Sequence, residues 1–243
     1  MQFEKAHKLS IVPALILCIL SFVSIVLTSV YWILGDWIMG RWVPIPSTHK
    51  DSDKWPINDV IVDYTDASTN ATIVSGCLNL FAACVAMVAW GKLKNHELDT
   101  DFNAPLRRFY VLAVYITGAC GSIAALTAFI LHYTDSGPDE WSCTTQTGYT
   151  FQTPQKGIPF DNVLCSREHG ACNFIVKNAK ADKQGAATAA CNTARTVKFL
   201  QIILLLISCI TMAMFFFQAK LRRHVRWSLH SNAPVDAKPQ HWQ

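Results

Sequence analysis

Four long apolar stretches without a single Asp, Glu, Lys, Arg or His constrain the fold of this chain more than any other feature. They cover residues 9–34, 71–91, 109–131 and 199–219. At about 1.5 Å of rise per residue, a helix of each length crosses a hydrocarbon layer of roughly 30 Å. Soluble core helices would carry charges at helical spacing on their solvent-facing sides, and these stretches carry none. The pattern predicts four transmembrane helices.

The charged residues lie between these stretches and divide the chain into nine segments. The predicted segments are an N-terminus (1–8), a first span (9–34), a first outer loop (35–70), a second span (71–91), a connecting loop (92–108), a third span (109–131), a second outer loop (132–198), a fourth span (199–219) and a basic tail (220–243). The first span is longer than the 7–15 apolar residues of a usual signal peptide. We therefore expect it to be retained.

The distribution of basic residues predicts the orientation of the four spans. The two termini and the connecting loop together hold 11 basic and 5 acidic residues, a net charge of +6, whereas the two outer loops hold 10 basic and 12 acidic residues, a net charge of −2. Lys and Arg next to spans are retained on the cytoplasmic side of a membrane. Both termini should therefore be cytoplasmic, and both outer loops should lie on the opposite side.

The second outer loop contains four cysteines in an environment that this topology makes oxidising. They are Cys143, Cys165, Cys172 and Cys191. An even number of thiols outside the cytoplasm is expected to pair, so we predict two disulfides, with all three connectivities open. The other five cysteines lie inside the spans, where Cys behaves as a small hydrophobic residue.

The stretch VLCSREHGAC, from Val163 to Cys172, is the densest group of chemically reactive residues in this loop. Its Cys-x6-Cys spacing is not typical of zinc sites, and the loop has no CxxC pair that would indicate redox chemistry. We therefore predict a structural role for the cysteines and a polar turn, closed at Gly170, for the three charged residues between them. No metal or cofactor is expected.

Local composition also predicts some secondary structure in the second outer loop. The segment TTQTGYTFQTPQ is rich in Thr and aromatic residues between turn residues, which is typical of a short strand or hairpin. From Ala171 the chain has no proline up to the fourth span and is rich in Ala, Lys and Gln. This predicts a helix, weakened at Gly185, that runs into the fourth span.

Several residues near or inside the spans are candidates for packing, modification or ion binding. Small residues at interhelical spacing predict close helix contacts: Ala82, Ala86, Gly118, Gly121, Ser122 and Ala125. Asn79 should form a hydrogen bond with a neighbouring helix.

Asn70-Ala71-Thr72 matches a glycosylation sequon, although it adjoins the second span. Three tryptophans suit an interfacial belt: Trp32, Trp37 and Trp42. Acidic residues of the first outer loop could attract a cation: Asp51, Asp53, Asp59, Asp63 and Asp66.

The predicted layout resembles that of claudin-like, MARVEL-like and fungal plasma-membrane tetraspan proteins. The resemblance covers the whole chain and concerns the four spans, the cytoplasmic termini and the cystine-bearing second outer loop. Residues 35–70 lack the paired cysteines of a claudin, and the second outer loop lacks the Cys-Cys-Gly of a tetraspanin, so no functional residue is carried over. The resemblance implies a plasma-membrane protein. The pattern itself predicts an all-α bundle of four transmembrane helices with a disulfide-stapled extracytoplasmic loop.

Three functions are compatible with this pattern. The first is a non-enzymatic organiser or accessory subunit, whose partners are the lipid bilayer and other membrane proteins or further copies of itself, and not nucleic acid. The second is a channel or transporter subunit with Asp59, Asp63 and Asp66 in an outer vestibule. The third is a membrane thiol oxidoreductase. Ion-coupled carriers generally need ionisable groups at the membrane midplane, and the four apolar stretches contain none. We therefore favour the first function.

Overall fold

Four long helices and a small β-sheet make up the computed structural model, which describes residues 2–38, 42–46, 57–94, 103–150, 158–178 and 181–231. The long helices are α1 (Gln2–Ile33), α2 (Ala67–Leu93), α3 (Ala104–Thr134) and α6 (Ala181–Ser231). A π-helical turn, Leu34–Ile38, extends α1. All four are long and apolar enough to cross a membrane, and each, with α1 taken together with its π-helical turn, includes one of the four apolar stretches, which confirms the prediction of four such helices.

The four helices pack in a ring around a polar and small-residue interior. Helix α1 contacts α2 and α6, and α3 contacts the same two helices from the other side. Their buried positions include hydroxyls, amides and small side chains: Ser21, Ser24, Thr28, Ser75, Asn79, Ala83 and Ser208. Their outward positions include large apolar side chains: Ile19, Phe22, Phe81, Leu112, Ile123, Leu206 and Phe217. An exposed apolar surface of this extent is typical of a protein that contacts lipid.

A four-stranded sheet lies at one end of the ring, which we call the sheet end. The strands are β1 (Trp42–Pro46), β2 (Ile57–Thr65), β3 (Thr144–Thr150) and β4 (Ile158–Ser166), in the order β1-β2-β4-β3. Strands β1 and β2 are antiparallel, as are β3 and β4, while β2 and β4 are parallel. The predicted strand in the second outer loop is confirmed as β3. The sheet formed with the first outer loop was not predicted, and it makes the chain mostly helical instead of all-α.

The sheet packs on a short helical segment that leads into α6. Val60, Val62 and Val163 point from the central strands into a buried core with Phe174 and Ile175. Alternate residues of a strand face the same side, so the two valines of β2 reach this core together. The sheet, the helical segment and the start of α6 therefore form one packed unit, which we call the sheet domain.

The helical segment has three parts: α4 (Arg167–His169), a π-helical turn (Gly170–Ile175) and α5 (Val176–Asn178). The predicted helix after Ala171 is therefore present, and it starts four residues earlier than expected. Ser166 caps its first turn, because its Oγ accepts a hydrogen bond from the backbone N–H of His169 at 3.3 Å. Gly185 lies inside α6, with open space around it.

Candidate functional site

Two disulfides hold the VLCSREHGAC stretch from both of its ends. Cys143 bonds to Cys165, and Cys172 bonds to Cys191. The first bond joins the start of β3 to β4, while the second joins the π-helical turn to α6. The prediction of two disulfides is confirmed, and the structure selects one of the three open connectivities. Residues 166–171 are thereby fixed between two crosslinks that lead to different parts of the sheet domain.

Arg167, the first of the charged residues between these crosslinks, is buried and binds two carboxylates. Its side chain is only 6% exposed. One Nη donates to Asp36 Oδ2 at 3.0 Å, and the other donates to Asp66 Oδ1 and, at 3.3 Å, to Thr69 Oγ1. The guanidinium also lies over the ring of Tyr64, 5.4 Å from its centroid. Asp36 follows α1 and Asp66 precedes α2, so Arg167 connects the sheet domain to these two helices.

Glu168 is buried as well and binds two cationic or ionisable side chains on the other two helices. Its Oε1 accepts a hydrogen bond from Lys198 Nζ of α6 at 3.2 Å. Its Oε2 lies 3.4 Å from His132 Nδ1 of α3. The other ring nitrogen of His132 pairs with Thr72 Oγ1 of α2 at 3.1 Å. Glu168 therefore connects the sheet domain to α3 and α6.

The surroundings of Arg167 and Glu168 favour their charged forms. Burial by itself would raise the pKa of Glu168, but its close contact with His132, its hydrogen bond with Lys198 and the charge of Lys198 outweigh burial and lower that pKa. Burial would likewise lower the pKa of Arg167, yet hydrogen bonds and charge from Asp66 and Asp36 raise it. We call these two residues together with Asp36, Asp66, His132 and Lys198 the ionic cluster.

A second layer of hydrogen bonds supports the ionic cluster at the ends of α2 and α3. Asp135, just after α3, accepts hydrogen bonds from Thr65 Oγ1 at 2.7 Å and from Ser68 Oγ at 3.2 Å. Tyr31 of α1 donates to Thr69 Oγ1, the hydroxyl that also binds Arg167. Each of these contacts joins two different elements. The end of the bundle and the sheet domain are therefore held by a continuous polar network.

Two amides carry hydrogen bonds from this end into the middle of the bundle. Gln201 Nε2 of α6 donates to Ser24 Oγ of α1 at 3.1 Å, and its Oε1 accepts from Ser75 Oγ of α2 at 2.8 Å. Asn79 Nδ2 donates to the carbonyl of Gly121 on α3 at 3.1 Å, as predicted for a bond to a neighbouring helix. Gln201 was missed by sequence reasoning, although an amide inside an apolar stretch is a signal that could have found it.

The small residues predicted to mediate helix packing lie in the interior of the bundle. All six are buried: Ala82, Ala86, Gly118, Gly121, Ser122 and Ala125. A methyl group on Gly118 would come 2.8 Å from Met212 of α6, and one on Gly121 would come 2.7 Å from Asn79 Oδ1. These two glycines allow α3 to approach α6 and α2 closely.

The remaining candidates of the first outer loop do not form one site in the described residues. Asp66 belongs to the ionic cluster, Asp63 and Asp59 lie on β2, and Asp51 and Asp53 are outside the described residues.

Trp32 and Trp37 are exposed near the end of α1, whereas Trp42 begins β1. Asn70 is exposed in the first turn of α2. Its glycosylation and the acidic vestibule remain predictions.

The prediction of a polar turn at residues 167–169, closed at Gly170, is wrong in two respects. Arg167 and Glu168 are buried instead of solvated. Gly170 keeps a right-handed helical conformation, with φ −58°, and continues the helical segment. A glycine is needed there for another reason, because a Cβ atom would lie 2.8 Å from Cε1 of Tyr64. Within the described ranges, no three His, Cys, Asp or Glu side chains are grouped closely enough to hold a metal ion.

No family model, curated protein or solved structure shows significant similarity to this chain. The class of the protein is therefore defined by its own architecture. Four helices long and apolar enough to span a membrane carry a disulfide-stapled sheet domain, and a buried ionic cluster joins the two parts.

Proposed function

We propose that the chain is an integral membrane protein of the tetraspan type, located in the plasma membrane with both termini in the cytoplasm. The large apolar side chains on the outside of the four helices support membrane insertion, since contact between so much apolar surface and water would be unfavourable. The net charge of +6 on the termini and the connecting loop supports their cytoplasmic location. The two disulfides suit a sheet domain on the oxidising side.

We propose further that the protein is a non-enzymatic organiser or accessory subunit, which presents the sheet domain as a rigid surface for other membrane proteins. The observation that carries this proposal is the ionic cluster. Its members come from all four helices or from residues directly next to them, and they converge on Arg167 and Glu168. Charges buried in this way are costly unless they are paired, so the network holds a single arrangement of domain and bundle.

The sheet offers a surface through which such a partner could bind. Within the described residues, β1 and β3 each pair with a neighbour on one side only. An edge strand presents unpaired backbone N–H and C=O groups that an extended segment of another protein can use. A sheet that is fixed relative to the membrane presents these groups at a constant height and angle. Preorganisation of this kind reduces the entropy lost on binding.

Purification of the tagged protein in a mild detergent tests this function. We expect a stoichiometric partner or a defined homo-oligomer, measured by light scattering and by mass spectrometry of the purified complex. Gln146→Lys places a charge on the exposed side of the edge strand β3 and should weaken that association. Ser136→Lys adds the same charge at an exposed position between α3 and β3 and should not weaken it. A monomer without a partner would contradict the proposal.

The location of the termini has a separate test. Short epitope tags at either end should be protected in intact cells and become accessible only after the membrane is permeabilised. Antibody binding to either tag on intact cells would refute the proposed orientation. The tagged-protein purification described above does not depend on this result.

A further inference from the structure

A cavity of about 1,080 Å³ lies at the end of the bundle opposite the sheet, between the end of α2, the start of α3 and the end of α6. Its wall contains residues from both of the predicted cytoplasmic segments next to the membrane, the connecting loop and the tail. The volume is slightly above the range of roughly 300–1,000 Å³ that is typical of ligand pockets. It is therefore large enough for a molecule with several functional groups.

Four arginines line one side of this cavity: Arg107, Arg108, Arg222 and Arg223. Arg222 is buried, and its Nη1 donates to the carbonyl of Leu93 at 3.0 Å, which holds the guanidinium against the end of α2. Arg108 and Arg223 are exposed. No acidic side chain of the described part of the chain lines the cavity. The cavity therefore has a strongly positive side.

The start of α3 adds to the positive potential. Ala104 and Pro105, the first two residues of this 31-residue helix, lie in the cavity wall. The N-terminus of a helix carries a partial positive charge. Of these two residues only Ala104 has a backbone N–H, and that N–H has no acceptor within the helix. The helix start and the exposed guanidinium groups of Arg108 and Arg223, whose planar forks match the oxygens of phosphate, together favour an anionic phosphate group as the ligand.

The other side of the cavity is apolar and continuous with the outer surface of the bundle. It is formed by side chains that belong to the third and fourth apolar stretches, among them Phe109, Leu112 and Phe215. Phe109 is 61% exposed and Leu112 is 57% exposed on the outward face of α3. The cavity thus meets the surface that contacts lipid in the proposed membrane protein. A free phosphate ion would leave this apolar side without a complementary group.

We propose that this cavity binds one anionic phospholipid, with the phosphate at the arginines and the acyl chains along the outer face of α3. Basic pockets between helices on the cytoplasmic side are a known means of holding anionic lipid headgroups. The proposal requires that the helices lie in a bilayer. It does not depend on the organiser function, because lipid binding is measured without any protein partner.

Native mass spectrometry of the protein in mild detergent tests this binding. Phosphatidylserine and phosphatidylcholine with identical acyl chains are added separately at increasing concentrations. We expect one phosphatidylserine to remain bound per chain at concentrations at which phosphatidylcholine is lost. The double variant Arg108→Gln/Arg223→Gln should weaken phosphatidylserine binding by at least about tenfold, because it removes charge-assisted hydrogen bonds to the phosphate, each of which contributes roughly a factor of ten.

A matched control separates this site from general attraction to positive charge. Lys92→Gln/Lys220→Gln removes two positive charges from the same end of the bundle, at exposed positions that do not line the cavity. It should change binding by less than about twofold, because a detergent micelle has no charged bilayer surface. Equal losses in the two double variants, or equal retention of both lipids, would overturn the proposal.

A second variant tests the apolar side with all arginines intact. Leu112→Trp fills part of the cavity and should weaken phosphatidylserine binding. Inorganic phosphate at equal concentration should not displace the lipid from the unmodified protein. Displacement by phosphate, or unchanged lipid binding in Leu112→Trp, would show that the cavity holds a simple anion and would overturn the lipid assignment. Unchanged circular dichroism of each variant establishes that it is folded.

Discussion

Arg167 and Glu168 are neighbours in the chain, yet their side chains bind partners on opposite halves of the bundle. Arg167 binds Asp36 and Asp66, which lie at the ends of α1 and α2. Glu168 binds His132 of α3 and Lys198 of α6. One dipeptide of the sheet domain is thus in contact with every long helix or its immediate end. A disulfide lies on either side of this dipeptide in the chain.

We predict that Arg167→Ala lowers the free energy of unfolding of the sheet domain by about 3–5 kcal/mol, because it breaks the ion pair between Asp36 and a buried guanidinium. Denaturant titration followed by tryptophan fluorescence measures the change. Arg195→Ala removes a similar side chain from an exposed position of α6 and should stay within about 0.5 kcal/mol of the unmodified protein. Equal stability of the two variants would show that the ion pair does not hold the domain.

The lowered pKa of Glu168 predicts a specific acid sensitivity. A carboxyl whose pKa is lower in the folded than in the unfolded protein stabilises the fold above its unfolded pKa, near 4.5, and this contribution is lost as the pH falls through the folded pKa. The side chains facing Glu168 are those of His132 and Lys198. Melting temperatures between pH 7 and pH 3 should decline less steeply for Glu168→Gln than for the unmodified protein. Parallel declines would contradict the assignment.

The two disulfides should be the only crosslinks among the four cysteines of the second outer loop. Peptide mapping without reduction should recover Cys143 linked to Cys165 and Cys172 linked to Cys191. Replacing either pair with serine should cost about 2–4 kcal/mol, because loops with sequence separations of 22 and 19 residues would gain freedom in the unfolded chain. A Cys143–Cys191 or Cys143–Cys172 peptide would contradict the structure.

Close packing between α2 and α3 predicts that Gly121→Ala is destabilising. The added Cβ would lie 2.7 Å from Asn79 Oδ1, so the amide that donates to Gly121 would have to move, at a cost of about 1–3 kcal/mol. Gly91→Ala on α2 is a matched control, because open space surrounds that position and alanine is favoured over glycine in a helix by about 1 kcal/mol. Thermal unfolding in detergent should move in opposite directions for the two variants.

The four helices were predictable because an apolar layer excludes charged residues, and the composition of each stretch alone shows that it has none. Every stretch in which ionisable residues are missing became part of one long helix. The pairing of four cysteines was predictable in the same way, from their number and expected compartment. Their connectivity was not, because it depends on how β3, β4 and α6 pack.

The sheet was not predictable because its central contact joins two separate loops. Strands β2 and β4 run parallel, with Val62 opposite Val163 and Tyr64 opposite Cys165. These partners are about one hundred residues apart in the chain. The segment Ile57–Thr65 is rich in Ile, Val, Tyr and Thr, a local strand signal that sequence reasoning missed, but nothing in the segment identifies its partner strand.

The ionic cluster was not predictable for the same reason, because its members are far apart in the chain. SREH between two cysteines is typical of an exposed polar turn, and burial of its charges is favourable only where opposite charges are in reach. Those charges come from Asp36, Asp66 and Lys198, which are far from Arg167 and Glu168 in the chain. No pattern within a short window reports such an arrangement.

The residue order was sufficient to indicate which segments are apolar enough to cross a membrane and which cysteines are available to pair, because both properties depend on local composition. Folding selected the partners: a sheet made from both outer loops, one connectivity of the disulfides, and two buried charges paired with groups from every helix. These choices depend on distances between segments that are remote in sequence, and such distances exist only once the chain has packed.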